Sequence, residues 1–148
     1  MQQLLTELFT TFIVFMSIVI FAVYKSKKEK SQNLKEFSDF FGVSGDSFIE
    51  ICNNLAKDNK IKIINKNMSV SEFVSVLGVE NFKTQIKSDE ILDQKSISEC
   101  VKALKEPLKL GIYALKDGDY YAFLLNKTEL FVAINLANNL GESIIFCD

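Results

Sequence analysis

The chain has 148 residues, 48% of them hydrophobic, with 17 basic and 19 acidic side chains and a net charge of −2. It contains no His, and every basic residue is Lys. This excludes imidazole bases, Ser–His–Asp and Cys–His arrangements, His metal ligands and the bidentate guanidinium fork. An AT-rich coding sequence, which the abundant Asn also suggests, would produce the same loss of Arg.

Charge is spread unevenly. Residues 25–30 hold four Lys and one Glu, whereas residues 31–148 hold 13 Lys and 17 acids. A mildly acidic domain offers no electrostatic footprint for nucleic acid, and no nucleic-acid partner is expected.

The run 8–24, LFTTFIVFMSIVIFAVY, has no charge, Gly or Pro. Extended to residue 4, it reaches roughly 31 Å as a helix, the thickness of a hydrocarbon core. A cleaved signal peptide would carry its positive charge before the apolar run and small residues after it. Here the leader MQQLLTE has no Lys, and VYKSKKEK follows. The sequence therefore reads as an uncleaved single transmembrane helix near residues 4–24. Lys25, Lys27, Lys28 and Lys30 flank one end only, so the charge rule places the following domain in the cytoplasm. The same four lysines are the candidate membrane-surface residues, since each attracts anionic headgroups by about 1 kcal/mol. The division predicted is an anchor with its basic flank over 1–30 and a soluble domain over 31–148.

Residues 31–41, SQNLKEFSDFF, space Leu34, Phe37, Phe40 and Phe41 for one helix face, which either lies on the bilayer or, as is commoner for such a face, docks onto the domain itself. Four S/N-x-x-E patterns then mark helix starts. Ser47 with Glu50 precedes Phe48, Ile51, Cys52 and Leu55. Ser69 with Glu72 precedes Val70, Phe73, Val74 and Leu77, with Gly78 as the stop. Ser96 with Glu99 precedes Cys100, Val101 and Leu104, and Asn126 with Glu129 precedes Leu130, Ile134 and Ala137. Residues 79–95 suggest only short helical turns.

Residues 60–65, KIKIIN, read as a strand. Residues 109–125 read as a hairpin, two β-prone runs joined by Lys116-Asp117-Gly118-Asp119, where the turn demands positive φ. Residues 143–147, SIIFC, supply a last strand. The predicted fold is α+β, with a mostly antiparallel sheet of about four strands covered by helices.

Few residues invite chemistry. Cys52, Cys100 and Cys147 match no CxxC or zinc spacing and lie in apolar contexts, as core residues do. Asp117 and Asp119 lack the further oxygens of an EF-hand and suit a hairpin turn. Tyr113, Tyr120 and Tyr121 crowd the same hairpin, as cross-strand aromatic pairs would. Asp89, Glu90 and Asp93 form an acidic cluster in a polar stretch, a solvated face. There is no Walker A, GxGxxG, GxSxG or HExxH pattern. No catalytic, cofactor-binding or metal-ligating residue is assigned, and no enzyme, cofactor or small-molecule substrate is expected.

The function these features suggest is a membrane-anchored protein-binding module at the cytoplasmic face, with membrane lipid and a protein as partners. In general character (small, acidic, without catalytic motifs) the domain resembles bacterial immunity proteins. A structural subunit of an envelope assembly is the alternative. In QLLTELFTTFIVF, Glu7 stands just before the apolar run, a feature that resembles type IV pilin-like subunits. The sequence departs from that pattern in having no basic leader, no Gly before a processing site, and a Lys cluster implying the opposite orientation.

Overall fold

The computed structural model describes residues 2–79 and 89–148, and side chains from Thr10 onward. The chain opens with one unbroken helix, α1 (Gln2–Phe41), of 40 residues, or roughly 60 Å. The apolar run and the Phe-bearing segment are parts of this single rod. Within it, Thr10–Phe41 is long and apolar enough to cross a membrane. Ser17 Oγ donates to the Ile13 carbonyl at 2.8 Å, satisfying its hydroxyl inside the helix.

The remaining elements are α2 (Phe48–Lys57), β1 (Lys62–Ile64), α3 (Val70–Leu77), α4 (Gln94–Lys102), β2 (Leu108–Ala114), β3 (Tyr120–Asn126), α5 (Lys127–Asn139) and β4 (Ile145–Cys147). The four strands form one sheet in the order β1-β3-β2-β4, with every neighbour antiparallel. This is the α+β fold anticipated from the sequence.

Helices cover both faces of the sheet. On one face α1, α2 and α5 bury Phe37, Phe48, Ile51, Leu55, Tyr121, Phe123 and Leu130. On the other, α3 and α4 bury Val70, Phe73, Leu77, Cys100 and Val101 against Ile64, Leu110, Ile112 and Ala122. The alternation along β3 assigns the sides: Tyr121 and Phe123 turn to the first cluster and Ala122 to the second. Gly111 of β2 lets α5 approach closely, because a Cβ there would lie 2.6 Å from Leu130 Cδ1.

The Phe face of α1 docks as the spacing predicted. Phe37 is fully buried, with its ring 4.9 Å from Phe48 and 5.0 Å from Phe41, a burial that stabilises by about 1.5–3 kcal/mol. Asn33 Nδ2 donates to the Asn139 carbonyl at 2.9 Å. The helix passes the predicted boundary at residue 30 without a break, so the apolar run continues directly into a buried face of the domain.

Local signals explain most helix ends. Ser47, Ser69 and Asn126 each accept from the N–H of the Glu three residues on, at 3.2, 3.3 and 2.9 Å. Only Ser69 completes the reciprocal box, with Glu72 accepting from its N–H. α4 corrects the reading. Its N-cap is Asp93, and Ser96 lies inside the first turn as the reciprocal partner. Ser96 is 2% exposed, and starting the helix at Gln94 is what buries it. Of residues 79–95, 80–88 lie outside the described residues; Leu92 N–H bonds the Met68 carbonyl, and Ile91 bridges Ser69.

Candidate functional site

Two surfaces emerge where elements meet. The first is a cleft at the tip of the β2–β3 hairpin. Gly118 N–H bonds the Leu115 carbonyl and Leu115 N–H bonds Asp119, so the loop has three residues, with Gly118 at φ +93° closing it. Asp119 Oδ1 accepts from Lys66 N–H at 3.0 Å, and Asp117 Oδ1 accepts from Asp119 N–H at 3.1 Å. Lys66 Nζ donates to the Asp117 carbonyl at 2.8 Å. The Asp119 carboxylate is thus spent holding the tip to the turn after β1, and that of Asp117 closes the loop on itself. No group of three potential metal-ligating side chains exists among the described residues.

Tyr113 and Tyr121 are cross-strand partners, stacked with ring centroids 6.4 Å apart, and Tyr113 also lies 4.8 Å from Phe48. Tyr120 turns to the opposite face, against the α3–α4 cluster. The Tyr113 hydroxyl donates to Glu142 Oε2 at 2.7 Å, and that of Tyr121 donates to Asn53 Oδ1. Burial, then the Glu142 bond, pushes the Tyr113 phenol up to about 12. Beside Tyr113 and Glu142 opens a cleft of about 540 Å³, lined also by Ile49, Leu115, Lys116 and Asp117. A smaller chamber of about 180 Å³ adjoins it, sharing Ile49 and Glu142 and reaching Asp46, Leu140 and Lys30 of α1.

The second surface is the β4 edge. β1 and β4 are the two edges of the sheet, but they differ in protection. β1 carries Lys62, with Lys60 and Lys66 flanking it, charges that discourage strand addition. The stretch 143–147, SIIFC, has no charge. Ile145 is 61% exposed on one face of β4. On the other, Phe146 stacks on the exposed Phe131 of α5 with centroids 5.5 Å apart, and Lys127 Nζ stands 6.0 Å from the Phe131 ring. An edge with apolar side chains on both faces suits an added strand from another chain.

The lysines singled out from sequence are all exposed on α1. At about 100° per residue, Lys27, Lys28 and Lys30 lie roughly 200°, 300° and 140° around the axis from Lys25. They ring the helix instead of sharing a face. Lys25 lies 4.0 Å from Glu29, an exposed pair worth little. A ring just past an apolar run matches the geometry of a membrane surface, which surrounds a helix. Lys30 alone also reaches the domain, in the smaller chamber.

Other sequence candidates fall apart. Asp93 is a helix cap, and hydrogen bonds from Ser96 hold its carboxyl below the usual range. The three cysteines are free thiols, Cys52 and Cys100 buried and Cys147 half-buried. Burial pushes Cys52 up to about 12 and the other two to about 11, the opposite of what activates a nucleophile. Sequence reasoning missed both the β4 edge and the pairing of Tyr113 with Glu142, because each depends on strand order. The one legible signal was the absence of charge in 143–147. No protein-family model, curated protein or solved structure matches this chain.

Proposed function

We propose that this chain is a single-pass membrane protein whose domain, without catalytic activity of its own, binds another protein at the cytoplasmic face. The uncharged β4 edge carries the binding part of the reading. It is the strand edge that lacks the protection seen on β1, and it offers backbone pairing together with Ile145, Phe146 and Phe131 as anchors. The apolar run and its ring of lysines support the anchor and its orientation. Holding the domain at a surface raises its effective concentration toward a partner in the same membrane. An immunity-type protein, neutralising a toxin by occupying it, is one form this function takes.

The orientation is tested by tagging the end after Asp148 and adding protease to spheroplasts. Protection until the membrane is disrupted is the expected result; immediate cleavage overturns the cytoplasmic assignment. The edge is tested with a photo-crosslinking residue at Phe131 in cells. Ile145→Lys should abolish the cross-linked species, and its persistence would move the binding surface elsewhere. A second reading, a structural subunit of an envelope assembly, draws on the unbroken 40-residue α1. It requires the domain outside, so the same protease experiment separates the two.

A further inference from the structure

The smaller chamber lies where the domain meets α1, and its Lys30 is six residues past Tyr24. Lys30 stands roughly 9 Å beyond Tyr24 along the axis. Helix side chains slant toward the N-terminus, so its ammonium leans back toward the apolar run. The polar headgroup layer is about 5–7 Å deep on each side of a bilayer. The Lys30 ammonium, on the wall of the chamber, therefore stands at headgroup height when α1 spans.

The chamber's charges are of both signs. Its lining residues include Lys30, the acidic Asp46 and Glu142, and the apolar Leu34, Phe48 and Leu140. Lys30 makes no ion pair with either carboxylate among the described residues, and Glu142 uses only Oε2 on Tyr113. Opposite charges that share a chamber without meeting suit a ligand that itself carries both charges, separated by a short spacer. The volume of about 180 Å³ equals the share of about six waters, enough for a two-carbon amine but not for a second side-chain layer.

We propose that this chamber binds the headgroup of a membrane phospholipid bearing a primary amine, such as phosphatidylethanolamine. The phosphate pairs with Lys30, and the ammonium donates to Glu142 and Asp46. A primary ammonium has three N–H donors to offer carboxylates. A quaternary choline has none and is recognised instead by a cage of aromatic faces, which this chamber lacks.

This inference rests on the membrane-anchored reading, so the experiment separates the two. The full chain is reconstituted into vesicles of phosphatidylglycerol mixed with either phosphatidylethanolamine or phosphatidylcholine. Extraction at alkaline pH reports the anchor: release of the protein from both vesicle types overturns the anchored reading itself. For protein that stays, native mass spectrometry counts retained lipid. Wild type should keep the ethanolamine lipid over the choline lipid by about tenfold. Glu142→Gln should erase that preference, and Lys30→Gln should lower retention of both lipids. Tyr113→Phe removes the same hydrogen bond while leaving the Glu142 charge, and should keep the preference, so loss through misfolding is recognised. Equal retention of the two lipids by wild type, or an unchanged preference in Glu142→Gln, overturns the proposal. So does binding of free phosphoethanolamine by a protein that retains no lipid.

Discussion

Asn33 Nδ2 and the Asn139 carbonyl lie 2.9 Å apart, joining α1 to the last turn of α5. That carbonyl is one of the four a helix leaves without an internal partner at its end. The bond is exposed and sets direction more than strength. The strength comes one turn further on, at the fully buried Phe37.

Phe37→Ala should therefore cost the full chain about 3–5 kcal/mol in chemical denaturation in detergent. Asn33→Ala should cost about 0.5–1.5 kcal/mol. A Phe37→Ala loss no larger than that of Asn33→Ala would mean that α1 is not part of the core.

The start of α4 gives a second test, because two capping patterns are nested in Asp93-x-x-Ser96-x-x-Glu99. Asp93→Ala should lower stability by about 1 kcal/mol. Glu99→Ala should change little, since it removes only an exposed contact with Lys102 at 3.3 Å. The reverse order, in thermal or denaturant unfolding, would restore Ser96 as the cap.

At the hairpin tip, Gly118→Val adds a β-branched side chain at φ +93°, and its Cβ would stand 3.0 Å from Lys66 Cδ. A left-handed position costs a β-substituted residue about 1–2 kcal/mol, and Val is among the worst placed to accept it. The expected outcome is a lowered melting temperature. An unaltered one would count against the three-residue loop.

Alkaline pH should weaken the fold in two overlapping ranges. The Tyr113 phenol, ordinarily at 10, is held at about 12 by burial and then by Glu142. Its contribution is complete below 10 and is lost as pH rises through 12, because the unfolded chain releases the proton first. Cys52, ordinarily at 9, is raised to about 12 by burial and then by Glu142, and opens the range at 9. Tyr113→Phe should lessen the fall in melting temperature between pH 10 and 12, where the thiols still contribute, and leave the fall between 9 and 10 unchanged. A mutant curve parallel to wild type would remove Tyr113 from the account.

Much of this fold was legible because its signals are local. The Asp117-Gly118 turn, the Ser69 and Asn126 caps and the Phe37 spacing each act within a few residues. The start of α4 was misread because Ser96 can serve as a cap or as the partner of one, and only its burial beside Asp93 decides. The sites were less legible because they join distant parts of the chain. Nothing near Tyr113 points to Glu142, 29 residues away. Nothing within 143–147 says that its strand lies at an edge, since that follows from β2 pairing with both β3 and β4.

The unbroken course of α1 gives the segment between Tyr24 and Asn33 the character of a phase dial. Each residue added or removed there turns the domain by about 100° about the helix axis and moves it along that axis by about 1.5 Å. Seven extra residues return its azimuth to within about 20° but raise it by roughly 10 Å. The length of this segment therefore encodes a bearing as well as a height, and under the proposed membrane-anchored function a partner fixed in the same bilayer would meet the β4 edge only in certain steps of that dial.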